Sequence, residues 1–204
     1  MRTIQKNTNP PEKLCRYSFT HTFMLDNRIR KFFQNPKKIL SEYITQGMTI
    51  IDLGCGPGTF TCAMAELAGG KGTVIGCDLQ YEMLRYAEKR CRRTGPESRI
   101  IWHRSSPERT GIEKKADFIL SFYMVHEVSD RNSFLVEVYD MLKPKGKYLI
   151  AEPKFHVTET AFQKTIESAE DAGFTAEEYP QISMSRAVIL SKRDNKMKIP
   201  DENP

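Results

Sequence analysis

From residue 48 onward, short apolar runs alternate with segments whose apolar positions recur at helical spacing. Met48–Leu53 (MTIIDL) predicts a first strand, Thr59–Leu67 a helix closed by Gly69–Gly70, and Thr73–Asp78 (TVIGCD) a second strand. Tyr81–Cys91 predicts a helix with Leu84, Ala87 and Cys91 on one face and Gly95–Pro96 as its stop. Ile100–His103 and Ala116–Tyr123 read as the third and fourth strands. Ser129–Leu142 reads as an amphipathic helix ended by Lys143-Pro144-Lys145-Gly146. Lys147–Ala151 is the fifth strand, and Thr158–Ala172 a helix with Phe162, Ile166 and Ala169 inward and Gly173 as its stop. Glu178–Ile182 and Arg186–Ser191 read as a closing strand pair. Upstream, Asp26–Tyr43 reads as one or two helices, the second opened by Pro36.

Strands and helices alternating in this way predict an α/β fold: a Rossmann-like, doubly wound, mostly parallel sheet with helices on both faces. Right-handed crossovers bring the loops after the strands to one edge, and ligands of such sheets bind there. The expected organisation is a lead-in extension over residues 1–45, a main domain over 46–192 and a tail over 193–204. Met1–Lys13 and the tail are polar and read as frayed.

Composition narrows the classes. A chain of 204 residues with 39% hydrophobic residues can bury one core, and no apolar run is long enough to span a membrane. The polar start carries no secretory signal. Five cysteines (Cys15, Cys55, Cys62, Cys77 and Cys91), an odd number without zinc spacing, predict free thiols, a cytoplasmic setting and no metal site. The net charge of +5 is too modest to imply nucleic acid, and the positive stretch Arg85–Arg104 is interrupted by Glu82, Glu88 and Glu97 and reads as a solvated helix face.

Candidate chemistry concentrates in Asp52-Leu53-Gly54-Cys55-Gly56-Pro57-Gly58-Thr59, between a strand and a helix. Glycines at alternate positions permit a sharp turn and close ligand approach. The spacing is G-x-G-x-G rather than the G-x-G-x-x-G that seats a pyrophosphate, and Asp52 would repel such a group. Asp78, 24 residues after Gly54, ends the second strand, where a carboxylate accepts bonds from ribose hydroxyls. A nucleoside with a cationic amino-acid tail suits both carboxylates, and S-adenosylmethionine is such a molecule.

Four segments then give a specific resemblance: Ile51–Phe60 (IDLGCGPGTF), Val74–Leu84 (VIGCDLQYEML), Ala116–Val128 (ADFILSFYMVHEV) and Leu142–Pro153 (LKPKGKYLIAEP). Across Pro36–Ser191 the chain resembles class I S-adenosylmethionine-dependent methyltransferases, most of all the small-molecule branch that includes ubiquinone/menaquinone C-methyltransferases. The resemblance implies a seven-stranded sheet whose last strand is antiparallel, and S-adenosylmethionine converted to S-adenosylhomocysteine. It implies that Gly54, Cys55, Gly56 and Gly58 line the methionine end, that Asp52 holds its amino group, and that Asp78 clasps the ribose. It also implies that Leu79 and Met83 flank the adenine and that Phe122 lies on the cofactor side. Where relatives carry an acidic residue after the third strand, this chain has His103-Arg104-Ser105-Ser106-Pro107, which leaves Ser105 or Ser106 for the adenine.

Methyl transfer from a sulfonium needs alignment and exclusion of water, and a base only where the acceptor must lose a proton. His126 is the candidate base because imidazole titrates near neutrality; a helix-packing histidine is the plain alternative. Glu127 is a candidate to orient His126 or bind a substrate cation, and Tyr123 to wall the methyl group. Glu152, Lys154 and His156 follow the fifth strand as further candidates. Phe19, Phe23, Met24, Phe32 and Phe33 are candidate lid residues. The expected partner is a small-molecule acceptor. Action on RNA or protein is disfavoured, because Ser121-Phe122-Tyr123-Met124 stands where amide-methylating enzymes carry Asn/Asp-Pro-Pro-aromatic. A non-catalytic cofactor-fold partner is the remaining alternative, and nothing in the sequence fixes the oligomeric state.

Overall fold

Most positions of the central strands Thr49–Leu53 and Ala116–Phe122 are buried because both faces of the sheet are covered, so successive residues enter opposite cores. Ile50, Phe118 and Leu149 pack on one side, and Ile51, Ile119 and Tyr148 on the other. The computed structural model describes residues 34–95 and 97–193. Its strands are β1 (Thr49–Leu53), β2 (Thr73–Asp78), β3 (Ile100–Arg104), β4 (Ala116–Phe122), β5 (Leu142–Pro153), β6 (Phe174–Glu178) and β7 (Ser185–Lys192). The helices are α1 (Pro36–Leu40), α2 (Thr59–Ala68), α3 (Tyr81–Thr94), α4 (Arg131–Met141) and α5 (Glu159–Asp171).

The sheet order is β3-β2-β1-β4-β5-β7-β6. Pairings among β1 to β5 are parallel, whereas β7 runs antiparallel to both β5 and β6. The strand order reverses between β1 and β4, so the carboxyl ends of β1, β2, β4 and β5 form one crevice. Side-chain caps fix where helices start. Asn35 accepts from the Lys37 and Lys38 N–H groups with Pro36 in the first turn, Asp130 accepts from Ser133 N–H at 3.1 Å, and Thr158 from Ala161 N–H at 3.2 Å. The phenol of fully buried Tyr148 donates to Ser121 Oγ at 2.9 Å, so this core polar group is satisfied.

Three expectations are corrected. The penultimate strand lies at Phe174–Glu178 rather than Glu178–Ile182. Gly173 ends α5 with φ +104 and the chain enters the sheet at once, whereas Pro180 has no N–H to give a ladder. The free-thiol expectation fails for Cys62 and Cys91, which form a disulfide between α2 and α3 with Cα atoms 5.3 Å apart. Their 29-residue separation hides the pair in sequence, and only the packing of the two helices reveals it. Cys55 and Cys77 are free and buried. The fifth strand is also longer than expected: Lys143–Gly146 bulges within β5 instead of separating it from α4, as the register shift against β4 records.

Among the described residues, no helix is long and apolar enough to cross a membrane, and no cluster of three metal-ligating side chains occurs. Residues 1–33, 96 and 194–204 lie outside the described residues. With them lie the candidate lid residues, Cys15, the lead-in helix before Pro36 and the two ends read as frayed.

Candidate active site

The loop between β1 and α2 is fixed by its own backbone. Gly54, Gly56 and Gly58 have φ of +67, +50 and +77, which side chains other than glycine adopt only with strain. The three glycines answer to different neighbours. A Cβ on Gly54 would meet Met124 Cβ at 2.8 Å, and one on Gly58 would meet Ala87 Cβ at 2.7 Å. A Cβ on Gly56 would meet nothing within 4 Å. Protein packing therefore explains two of them, and Gly56 stands on the open side of the loop, where a ligand can approach its backbone. Cys55 is buried, its N–H donating to Cys77 carbonyl at 2.9 Å. Burial, with the charges of Asp78 and Asp52, pushes its thiol well above the ordinary value, so it fills the turn as a neutral group.

Two carboxylates converge on this loop. Asp78 accepts from Gly56 N–H through Oδ2 and from Gln80 N–H through Oδ1, each at 2.8 Å. It thereby ties the end of β2 to the glycine loop and to the start of α3. Asp52 is 2% exposed, and its Oδ2 accepts from Thr61 Oγ1 at 2.5 Å. Burial raises the Asp52 pKa to about 7, opposed by the Thr61 bond and increased by the charge of Asp78. Burial also raises the Asp78 pKa, against its bonds to Gln80 and Gly56, and the charge of Glu127 adds to the rise. The lysine and arginine ion pairs among the described residues lie elsewhere. A cationic ligand would relieve this crowding of negative charge.

The remaining cofactor-side candidates flank the same loop. Leu79 is 40% exposed at the mouth, and Met83 is buried beneath it on α3. Ser105 joins the β2 end through its N–H to Asp78 carbonyl at 3.2 Å. Ser106 is tied into its own turn by bonds to Arg109. Phe122 stacks between Phe60 at 4.2 Å and Tyr123 at 4.5 Å, a buried wall at the end of β4.

Across the crevice, Tyr123 is held with φ +64, a strained conformation for a side chain of this size. Several bonds hold it there. Its N–H donates to Ala151 carbonyl at 2.8 Å, Gln34 Nε2 donates to its hydroxyl at 2.6 Å, and Ser185 Oγ lies 2.7 Å from that hydroxyl. Gln34, Tyr123 and Ser185 come from distant parts of the chain, and no sequence spacing announces the knot. Beyond Tyr123, a short 3-10 turn at Val125–Glu127 carries His126. Its Nδ1 lies 2.5 Å from Glu152 Oε2, and its backbone N–H donates to Glu152 Oε1 at 3.1 Å.

Glu152 sits on β5 and is 1% exposed. Glu127, the neighbour expected to orient His126, is largely exposed, with Oε1 3.9 Å from His126 Nε2. His156 packs its ring edge-on to His126 with centroids 4.9 Å apart. Lys154 points outward at the same rim, its N–H bonded to Met184 carbonyl at 3.0 Å. Burial pulls the His126 pKa down, but the hydrogen bond and charge of Glu152, with Glu127, outweigh it, so the net shift is upward.

The sequence-predicted residues thus fall into two facing groups, a glycine loop with Asp52 and Asp78, and a histidine–carboxylate pair beside Tyr123. The methyltransferase domain family matches residues 44–197. Demethylmenaquinone methyltransferase of Lactobacillus johnsonii is 31% identical over 124 residues, covering 60% of this chain and 48% of that protein. The chain spans about half the length of the curated relatives it matches. Among solved structures, a SAM-dependent methyltransferase from Aquifex aeolicus superposes with a TM-score of 0.75 at 24% identity, over 84% of this chain and 96% of that one. An S-adenosylmethionine-dependent methyltransferase from Methanococcus maripaludis, described as putative, gives 0.75 at 18% identity, over 94% and 100%. With the family match spanning most of the chain and the fold shared with such structures, the chain belongs to the methyltransferase domain family.

Proposed function

We propose that this chain is an S-adenosylmethionine-dependent methyltransferase acting on a small-molecule acceptor, with residues 46–192 as its catalytic domain. The observation that carries the reading is the open glycine loop bracketed by Asp52 and Asp78. Gly56 leaves room above its backbone, and the two carboxylates lie where an ammonium and a ribose would each find a partner. The residues therefore fit the cofactor. Gly54, Cys55, Gly56 and Gly58 would hold its methionine end, Asp52 its amino group and Asp78 its ribose. Leu79, Met83, Ser105 and Ser106 would surround its adenine, and Phe122 would close the pocket floor. When bound, the cofactor supplies an activated methyl group on a cationic sulfur.

The chain's own part is to bind, align and exclude water. Phe122 and Tyr123 wall the crevice, and His126 faces it as the candidate proton acceptor. Glu127, near both His126 and Asp78, adds negative charge that favours a cation at the mouth. The resemblance to quinone C-methyltransferases supports a small acceptor over RNA or protein, as does the modest net charge.

Calorimetric titration with S-adenosylmethionine and S-adenosylhomocysteine, beside Asp78→Ala, tests this reading. Saturable binding that the substitution weakens is the expected result. A folded protein that binds neither compound would overturn it.

A further inference from the structure

Glu152 is a carboxylate 1% exposed on β5, and both its oxygens meet one residue, His126, at the ring Nδ1 and at the backbone N–H. Burying a carboxylate is unfavourable unless a specific partner compensates it. Other groups near the pair do not take that role. Arg186, the register partner of Glu152 on β7, directs its guanidinium to Glu159 and to the Lys154 and Val157 carbonyls. Tyr148 feels the Glu152 charge, but its hydroxyl donates to Ser121. Glu127 stands 3.9 Å from the other ring nitrogen, beyond a hydrogen bond, and His156 meets the ring by its edge. A carboxylate at Nδ1 fixes the proton there and leaves the Nε2 lone pair on the side of exposed Glu127, whose charge also reaches Asp78.

Resting on the methyltransferase reading, we propose that Glu152 is the positioning residue for His126, that Nε2 receives the acceptor's proton, and that the acceptor atom accordingly carries a dissociable hydrogen. The balance is complete. The acceptor's X–H pair forms the X–CH3 bond, the C–S pair of the cofactor returns to sulfur, and the proton passes to Nε2 beside the Glu152 charge, then to solvent. An acceptor without such a hydrogen, such as a thioether or a tertiary amine, has no use for this device.

The test uses the full chain with 15N-labelled histidine, with the His126 signals assigned through His126→Gln. Wild type should hold its proton on Nδ1 with Nε2 bare, and Glu152→Gln should lower the His126 midpoint by about one pH unit, a tenfold loss of proton affinity. Glu127→Gln should move it less. A wild-type His126 protonated on Nε2 with Nδ1 bare would overturn the assignment without any variant, so a misfolded Glu152→Gln protein leaves the test intact.

The second arm adds phenols of graded acidity, 4-nitrophenol first, to protein loaded with S-adenosylhomocysteine and reads the visible absorbance of the bound phenolate. Ionisation should be promoted in wild type and lost in His126→Gln. With methyl-labelled cofactor, the rise of transfer rate with pH should shift down with the His126 midpoint in Glu152→Gln, which a merely structural carboxylate would not produce. No phenol ionised in the loaded protein, or a rate limb unmoved by Glu152→Gln, overturns the proposal. Failure of S-adenosylhomocysteine to bind is read separately by calorimetry and sinks the underlying methyltransferase reading instead.

Discussion

On the β1–β2 side of the crevice, the candidate groups are the backbone of a short glycine loop and two carboxylates, all within Asp52–Asp78. On the β4–β5–β7 side they are side chains from separate stretches. Glu152 reaches His126 across 26 residues of sequence, and Gln34 reaches Tyr123 across 89. A group built from backbone and local sequence is suited to one unvarying ligand. Side chains set on separate strand ends can change one at a time without disturbing the sheet, which suits the partner that differs between enzymes of one fold.

This division can be broken experimentally, and the largest effect belongs to Asp78. Asp78→Ala removes charge-assisted bonds worth about 1.5–3 kcal/mol each, so cofactor affinity should fall by about a hundredfold or more in calorimetry. His126→Gln should leave that affinity within about twofold. Equal losses from both would show the two sides to be one unit.

Gly54→Ala comes next. It combines left-handed strain of about 1–2 kcal/mol with a 2.8 Å clash against Met124, so thermal unfolding should show a loss of about 2–4 kcal/mol. Gly56→Ala, free of any clash, should lose only the strain while still weakening the cofactor.

Asp52→Asn carries a pH signature. With a folded pKa of about 7, raised from its unfolded value, protonated Asp52 contributes stability that is full below about pH 4 and lost as pH rises through about 7. The asparagine variant should match wild type at pH 4 and exceed it at pH 8, by an amount on the order of 4 kcal/mol in denaturant unfolding. Wild type should also release protons on binding S-adenosylmethionine at pH 7, which titrations in buffers of different ionisation enthalpy measure.

The smallest expected change is Phe155→Ala. Phe155 is 67% exposed and meets Tyr123 edge-on, so stability should stay within about 0.5 kcal/mol. Any effect should appear in acceptor KM and not in cofactor binding.

Much of this was legible in the chain. Apolar runs at Ile50–Leu53 and Phe118–Phe122 marked two-sided strands, and the glycine spacing with Asp52 and Asp78 marked the loop and its carboxylates. Phe174–Glu178 carries little strand signal because it mixes apolar and acidic residues at a sheet edge, where burial imposes a weak pattern. The Cys62–Cys91 bridge is not legible in the chain because neither residue announces its partner. The position of His126 after the fourth strand marks it as a candidate in the sequence. The adjacent Glu127 is the orienting carboxylate that sequence proximity suggests, but the one that hydrogen-bonds the ring is Glu152 on the next strand.

The sequence by itself determined the strand and helix alternation, the glycine loop and the two carboxylates beside it, because period, turn chemistry and local spacing act over a few residues. Only the tertiary structure decided that Glu152 meets His126, that Gln34 and Ser185 hold Tyr123, and that α2 and α3 are bridged. Those contacts depend on strand order and register, which bring together residues that no local preference relates.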